Sequence, residues 1–574
     1  MIVSLCGNPS GYIFDAFVRR RKALKYIFVT GGVLSSVGKG SVTASIGKIL
    51  QVMGHRATAT KIDPYLNFDS GTMNPYMHGE VFVTEDGGET DLDIGSYERM
   101  LDRNIGKDHS ITTGQIYWDV IEKERRGEFL GRCVQIIPHV TDEIRRRIAK
   151  AAEGDKVDAS LVEIGGTVGD IEGAPFLEAA RQLSLKLPSD AVMFVHVALV
   201  PVLDSTGEAK SKPLQHSVQE LRRIGIQPDV IIARTRHLLE KELREKIALF
   251  ASVTEDSVFS SPNLPSTYLL PESLEEQGLG AKICERLGLR YRKPNWRKWQ
   301  RIVRPMIEPR YRVTISLVGK YTGLADSYMS VIEALKHAGS ACNAGVDINL
   351  VEAEKLVGGE LSKCLRASDG ILVPGGFGTR GAEGKISAIE FAREHDVPLL
   401  GVCFGFQLSI VEFARNVARM RSANTTEIDP DTSYPVIYMM AEQRMVESLG
   451  ATMRLGSSPI LIERGTLAHG LYGQGRIYER HRHRYEVNPS LKERLVRHGL
   501  RFSGFTEDRT RMEILELPGK FFFLGTQFHP EFKSRPGRPD PAYYGLVKAA
   551  LDKKLGREKV DLGKPFSYAA ASTD

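Results

Sequence analysis

The sequence predicts an α/β protein built as two doubly wound parallel-sheet domains in series. Three observations carry that prediction. Short, nearly continuous apolar runs recur along the chain, as strands covered on both faces require; YIFVT (26–30) and AVMFVHVALV (191–200) are examples. Helical patterns alternate with these runs, the order of successive βαβ units. The alternation breaks at 290–312 (RYRKPNWRKWQRIVRPMIEPRYR), where basic residues, prolines and tryptophans interrupt the period. The expected organisation is a disordered extension over 1–24, a first domain over 25–289, a linker over 290–312, a second domain over 313–555 and a tail over 556–574.

Composition bounds the function. A chain of 574 residues is too long for one ordinary core. Its 42% hydrophobic and 26% charged residues describe a globular protein. The net charge of +6, from 77 basic and 71 acidic residues, comes with no long basic block. No nucleic-acid partner is expected, while anionic small molecules remain open as ligands. The six cysteines lie far apart with no C-x-x-C pair, which argues against a disulfide framework or zinc site and for a reducing, cytoplasmic setting. No apolar run reaches 18 residues, so no membrane partner is expected. Residues 1–24 place Arg19 to Lys22 after a weakly apolar segment, the reverse of a signal peptide.

In the first domain, strand 26–30 runs into GGVLSSVGKGS (31–41) and then a helix to about Met53. A strand, a glycine-rich loop and a helix N-terminus cradle phosphate with backbone N–H groups, and Lys39 adds charge. The usual spacing is G-x-x-x-x-G-K-[ST]; here Gly32 lies one residue too far out and Gly40 takes the hydroxyl position. TATKIDP (58–64) ends a second strand in Lys61 and Asp63. HGEVFVTEDGGETDLDIGSYER (78–99) is dense in carboxylates (Glu80, Glu85, Asp86, Glu89, Asp91, Asp93), hard oxygen donors of the kind magnesium takes beside a nucleotide; a solvated acidic loop is the alternative for any one of them. SLVEIGGTVGDIEG (160–173) sets Glu163 at a strand end and Asp170 and Glu172 in a turn, where open α/β sheets bind ligands. Lys210, Lys212, Arg234 and Arg236 follow other strands and suit a polyanion.

In the second domain, PLLGVCFGFQ (398–407) reads as a nucleophile elbow. The apolar run 397–402 is a strand, Cys403 sits at the turn between Gly401 and Gly405, and a helix follows. Glycines permit the bend, and a helix N-terminus favours a thiolate. The glycine-rich turn in DGILVPGGFGTRG (369–381) offers N–H groups for an oxyanion hole. FFFLGTQFHPEF (521–532) delivers His529 as a base and Glu531 as its orienting acceptor.

Taken together, GGVLSSVGKG, KIDPY, HGEVFVTEDGGETDLD, VEIGGTVGDIE, STGEAKSKPLQHSV, PGGFGTRG, NTTE, ERHRHRYEVNP and HPEF closely resemble the signatures of the CTP synthase family. The resemblance covers roughly residues 25–550 and accounts for the GKG form of the phosphate loop. It implies a P-loop, dethiobiotin-synthetase-like synthase domain joined to a class I glutamine amidotransferase domain. The implied reaction is ATP-dependent amination of UTP to CTP, with ammonia from glutamine hydrolysis and a 4-phosphorylated UTP intermediate.

By that resemblance Ser36, Val37, Gly38, Lys39, Gly40, Lys61 and Asp93 would bind ATP, and Asp93 and Glu163 would hold Mg2+. Ser35, Asp170, Ile171, Glu172, Lys210, Lys212, Gln215 and Lys246 would bind UTP or CTP. Cys403, His529 and Glu531 would be the glutaminase triad, with Gly376 and the N–H of Phe404 as oxyanion hole and Gln407, Glu427 and Arg484 as glutamine ligands. The elbow reads Cys-Phe-Gly-Phe where many members have Cys-Leu-Gly-Met. The resemblance further implies no prosthetic group, activation by GTP, feedback by CTP, a homotetramer built from dimers, filaments, and an enclosed ammonia path near His78. The alternative within reach of the same parts is another ATP-dependent glutamine amidoligase with a different acceptor.

Overall fold

The computed structural model describes residues 24–357, 361–440 and 453–562. Residues 1–23 of the extension expected over 1–24, and residues 563–574 of the tail expected over 556–574, lie outside the described residues. The chain divides into two compact units. The first takes the chain up to Asp69 with Ser96–Leu101 and Asp108–Arg297; the second takes Ser70–Gly95, Asp102–Lys107 and the chain from Lys298.

The first unit is built on a seven-stranded, wholly parallel sheet. In spatial order its strands are Ser110–Thr112, Ala57–Asp63, Ala159–Ile164, Lys25–Gly32, Val192–Leu199, Val230–Arg234 and Val258–Ser261. Lys25–Gly32 is buried along its whole length, as its apolar run requires. The chain leaves this strand to one side and later returns to its other side, so the end of the strand is a topological switch point, the place where such sheets open a ligand crevice. The glycine-rich loop begins there, and the Lys39–Val52 helix starts after Gly38, whose φ of 96° only glycine adopts without strain.

The second unit carries a nine-stranded sheet. Ala344–Glu352, Tyr311–Gly319, Gly370–Val373, Leu399–Val402 and Phe523–Thr526 run parallel in that spatial order. The sheet then continues antiparallel through Met512–Glu516, Arg501–Phe505, Arg454–Ile462 and Arg476–His483. The expected doubly wound parallel sheet is thus its functional half, extended by strands that hairpin-like returns can join without crossover helices.

Two details differ from the sequence expectation. The stretch expected as an irregular linker contains a helix, Arg297–Ile307, in which Trp299 and Val303 are buried. Two stretches inside 25–289, Ser70–Gly95 and Asp102–Lys107, group with the second unit. The carboxylates of 78–99 explain why. Glu85 accepts from Arg480 at 2.8 Å, Glu89 accepts from Arg482 at 2.8 Å, and Glu80 accepts from the backbone N–H of Ser330 at 2.8 Å. Asp86 accepts from the backbone N–H of Lys107, and Asp91 caps the Leu92–Leu101 helix. These five carboxylates thus hold the fold through arginines, backbone N–H groups and a helix cap.

Candidate active sites

In the second unit three neighbouring parallel strands deliver three kinds of group to one end of the sheet. Gly370–Val373 leads into the Pro374–Gly378 turn, Leu399–Val402 into Cys403, and Phe523–Thr526 towards His529. Their register (Val373 beside Gly401, Val402 beside Thr526) places the three exits side by side. Cys403 has φ 51° and ψ −100°, a conformation that costs a non-glycine residue energy and holds the thiol out of the sheet. The surroundings enforce it: the Cys403 N–H donates to Thr526 O at 2.7 Å, and a Cβ on Gly405 would lie 2.0 Å from Val373 O. The following helix, Phe404–Asn416, aims its positive end at the sulfur.

His529 Nδ1 and Glu531 Oε1 are 2.7 Å apart, leaving Nε2 as the working nitrogen. Burial alone would lower the His529 pKa; the Glu531 carboxylate and the Cys403 sulfur overcome that and lift it to about 10. His529 is therefore held as the imidazolium near neutral pH. The other oxygen of Glu531 accepts from the buried Tyr543 hydroxyl at 3.4 Å. Cys403 Sγ lies 3.7 Å from Arg482 O and 3.9 Å from Gln527 Nε2. A cavity of about 240 Å³ opens over Cys403, His529 and Gly376, also lined by Gly71, Glu80 and Arg482.

The Pro374–Gly378 turn is held by side chains at several points. Lys385 Nζ donates to Pro374 O at 3.1 Å, Lys320 Nζ donates to Phe377 O, and Glu427 accepts from the Gly378 N–H at 2.6 Å. Burial raises the Glu427 carboxyl, against the Gly378 N–H and the two lysines, which lower it. Gln407 is buried and donates to Tyr485 O at 3.0 Å and Gln527 Oε1 at 3.3 Å. Arg484 is half-buried, and its carbonyl accepts from the Met440 N–H. His78 is exposed at the end of the short Pro75–His78 helix and is not among the residues that line the cavity, although Pro75 is.

In the first unit the phosphate loop brings Ser35 to Gly40 to the end of the central strand. Val33 and Ser36 join Gly38 at positive φ, so the turn is tight. Lys39 folds back over the loop and donates to Gly166 O; a Cβ on Gly31 would lie 2.8 Å from its Nζ, so this lysine needs glycine there. Lys61 Nζ stands 3.2 Å from Glu163 Oε1 and 3.7 Å from Asp63 Oδ1, and Tyr97 donates to the other Glu163 oxygen. Asp170 accepts from the Thr167 N–H at 2.7 Å, and Ile171 beside it is exposed. Lys210 pairs with Glu208 at 2.5 Å, and Lys210 and then Lys246 hold that carboxyl below its usual range. Lys212 opens the Lys212–Arg223 helix, where Gln215 donates to Ser211 at 3.0 Å. Glu172 lies in the same exposed turn as Ile171. Asp93 lies in the first turn of the Leu92–Leu101 helix, in the stretch that groups with the second unit.

Sequence reasoning missed several groups. Gln527 sits two residues before His529 and could have been found from that spacing. Lys385 and Tyr543 carry no motif: one is a lysine in a helix, the other a tyrosine in a helix, and only packing brings them to the site. Under the phosphate loop, His196 bridges Thr30 and Ser217 at 2.9 Å each; burial and the Lys39 charge push its pKa down to about 3.

Residues 25–289 match the family model described as CTP synthase N-terminus, and residues 323–549 match glutamine amidotransferase class-I. The chain is similar to the CTP synthase of Pyrococcus furiosus, 56% identical over 531 residues that cover 92% of this chain and 98% of that one. It is likewise 56% identical to the CTP synthase of Pyrococcus abyssi over 535 residues, covering 93% and 99%. The CTP synthase of Methanocaldococcus jannaschii is 50% identical over 540 residues, covering 93% and 100%.

Proposed function

The chain belongs to the CTP synthase family, and from that premise we propose which of its residues carry the glutamine-dependent conversion of UTP to CTP. The enzyme is a ligase with a synthase half and a glutaminase half. The single observation that carries the glutaminase reading is the convergence of Cys403, the Gly376 turn and the His529–Glu531 pair on three adjacent strand ends.

In this reading the Cys403 sulfur attacks the glutamine amide carbon, and the N–H groups of Gly376 and Phe404 receive the oxyanion. His529 gives its proton to the departing ammonia, and Glu531 keeps the ring oriented. Water, deprotonated by His529, then hydrolyses the thioester to glutamate. Gln407, Glu427 and Arg484 are the glutamine ligands. Glu427, tied to the Gly378 N–H, suits the substrate's ammonium group; the Gln407 amide is already engaged by Tyr485 and Gln527, which leaves its oxygen for substrate.

In the synthase half Ser36 to Gly40 wrap the ATP phosphates, with Lys39 and Lys61 as cations. Ser35, Asp170, Ile171, Glu172, Lys210, Lys212, Gln215 and Lys246 receive UTP or CTP. ATP phosphorylates the uracil 4-oxygen, and ammonia displaces that phosphate to give CTP, ADP and phosphate. Asp93 and Glu163 are the carboxylates we assign to Mg2+. Glu163 suits that role as a buried hard-oxygen donor that Lys61 and Tyr97 already orient. Bound there, Mg2+ would offset charge on the transferred phosphoryl group.

Regulation by GTP and CTP and assembly into tetramers and filaments are assigned here from the family. The exposed apolar side chains Trp118, Ile121, Leu130, Ile136 and Ile137 support an assembly surface on the first unit. Five free cysteines among the described residues support a reducing cytoplasm, and no helix among those residues is long and apolar enough to cross a membrane.

The decisive test uses glutamine labelled with nitrogen-15 in its amide, with ATP, magnesium and UTP, followed by mass spectrometry. Label is expected in CTP. Label found only in free ammonia, with ATP untouched, would leave a glutaminase whose acceptor is not UTP.

A further inference from the structure

Lys385 is the buried charge that the mechanism above does not use. It lies in the first turn of the Ala382–Glu394 helix, 1% exposed, and forms no ion pair among the described residues. Both features are unfavourable. An unpaired ammonium out of water costs several kcal/mol, and a cation at a helix N-terminus opposes the helix dipole. A methionine of similar length would fill the same space without either cost.

The location of the amine is specific. Nζ donates to Pro374 O, two residues before Gly376, and would lie 3.6 Å from a Cβ built on Gly376. It also stands 5.3 Å from the ring centroid of Phe404, the residue whose N–H is the other oxyanion donor. One side chain therefore touches the Gly376 turn and the ring of the residue that bears the other donor. The charged groups that face it are Lys320 from the end of the Tyr311–Gly319 strand, Glu427 from the loop beyond Ala423–Thr425, and Cys403 from the elbow. Lys320 opposes its charge; Cys403 and Glu427 favour it.

We propose that Lys385 is a positioning residue for glutamine hydrolysis, which ties the Pro374 carbonyl so that the Gly376 N–H faces the oxyanion and sets a positive charge behind both donors. The inference rests on the glutaminase reading of Cys403. Burial first, then Lys320, push the Lys385 pKa down to about 7. The sign follows: the unfolded chain holds this proton up to about pH 10.4 and the folded chain releases it near 7. Lys385 therefore destabilises the fold most below pH 7, and the penalty vanishes as pH rises past the unfolded value.

The test compares wild type, Lys385→Met, Lys385→Gln and Cys403→Ala in the full chain, measuring glutamine hydrolysis and denaturant unfolding on the same samples. Lys385→Met is expected to lower kcat about tenfold or more with KM within about threefold, a smaller loss than removal of an oxyanion donor itself. Its unfolding midpoint at pH 6.5 should equal or exceed that of wild type. The ratio of wild-type to Met kcat should shrink as pH rises through 7. Lys385→Gln, which keeps an N–H donor, should lie between the two. A kcat for Lys385→Met within twofold of wild type overturns the proposal. So does a joint fall of kcat and stability, which is the signature of lost packing, or a Gln variant no better than Met. Cys403→Ala separates the two levels of inference: hydrolysis that survives it removes the glutaminase reading itself, whereas an inert Lys385 beside a dead Cys403→Ala removes only this assignment.

Discussion

Glu531 reaches His529 through a single ring nitrogen. Its Oε1 holds His529 Nδ1 at 2.7 Å, and its charge, with that of the Cys403 sulfur, carries His529 up to about 10 although burial pulls the other way. Glu531→Gln keeps the shape but can turn an amide N–H towards Nδ1 and select the wrong tautomer. Glutamine hydrolysis should fall by about 10²–10⁴-fold, read as kcat with KM little changed. The same change has a pH signature. A raised histidine pKa contributes stability that is complete below about pH 6.5 and lost as pH rises through 10. Glu531→Gln should therefore destabilise the protein more at pH 6.5 than at pH 10, as denaturant midpoints at the two values would report. An equal loss at both would mean that the carboxylate does not set the charge on His529. Cys403→Ala should abolish glutamine-dependent CTP formation and keep the ammonia-dependent reaction; loss of both would make the cysteine structural.

At the scale of elements, the elbow depends on how closely a strand and a helix approach. Gly405 sits in the first turn of the Phe404–Asn416 helix, and any Cβ there would meet the carbonyl of Val373 at 2.0 Å. Backbone atoms cannot swing aside as a side-chain tip can. Gly405→Ala should cost about 2–3 kcal/mol in urea unfolding and take glutaminase activity with it, because the helix start and the oxyanion turn would separate. A variant with wild-type stability would show that the strand and helix can part without cost. The helix itself is buried from Phe404 to Ala414. It has core on both sides, with Val373 on one and the Ala423–Thr425 and Tyr434–Met439 strands also packed against it.

At the scale of the whole molecule, two chemistries must be matched through ammonia. Free ammonia is mostly protonated at neutral pH, by analogy with an alkylamine whose pKa is about 10.4, and the ammonium ion has no lone pair to offer. With glutamine as donor, CTP formation near pH 7 should outpace formation from equal ammonium chloride, and the gap should narrow as pH rises. Equal rates at pH 7 would count against delivery without release to water. Lys39→Ala should abolish CTP formation from either nitrogen source while glutamine hydrolysis persists, since that lysine belongs to the first unit alone.

What the sequence by itself determined was local chemistry with short-range causes. The phosphate loop, the cysteine elbow and the His-Pro-Glu turn are each set within about ten residues by glycines, apolar runs and one reactive side chain. The alternation of strands and helices foretold the parallel sheets for the same reason. Only the tertiary structure decided which strand ends became neighbours, because register and strand order depend on pairings across more than a hundred residues, as between Leu399–Val402 and Phe523–Thr526. It also decided the fate of the acidic stretch 78–99, whose Glu85 and Glu89 find Arg480 and Arg482 nearly four hundred residues away. Carboxylates look alike in sequence whether they will hold a metal or an arginine. Lys385 is the sharpest case: a lysine on a helix reads as a solvated charge, and only packing buries it against the Pro374–Gly378 turn.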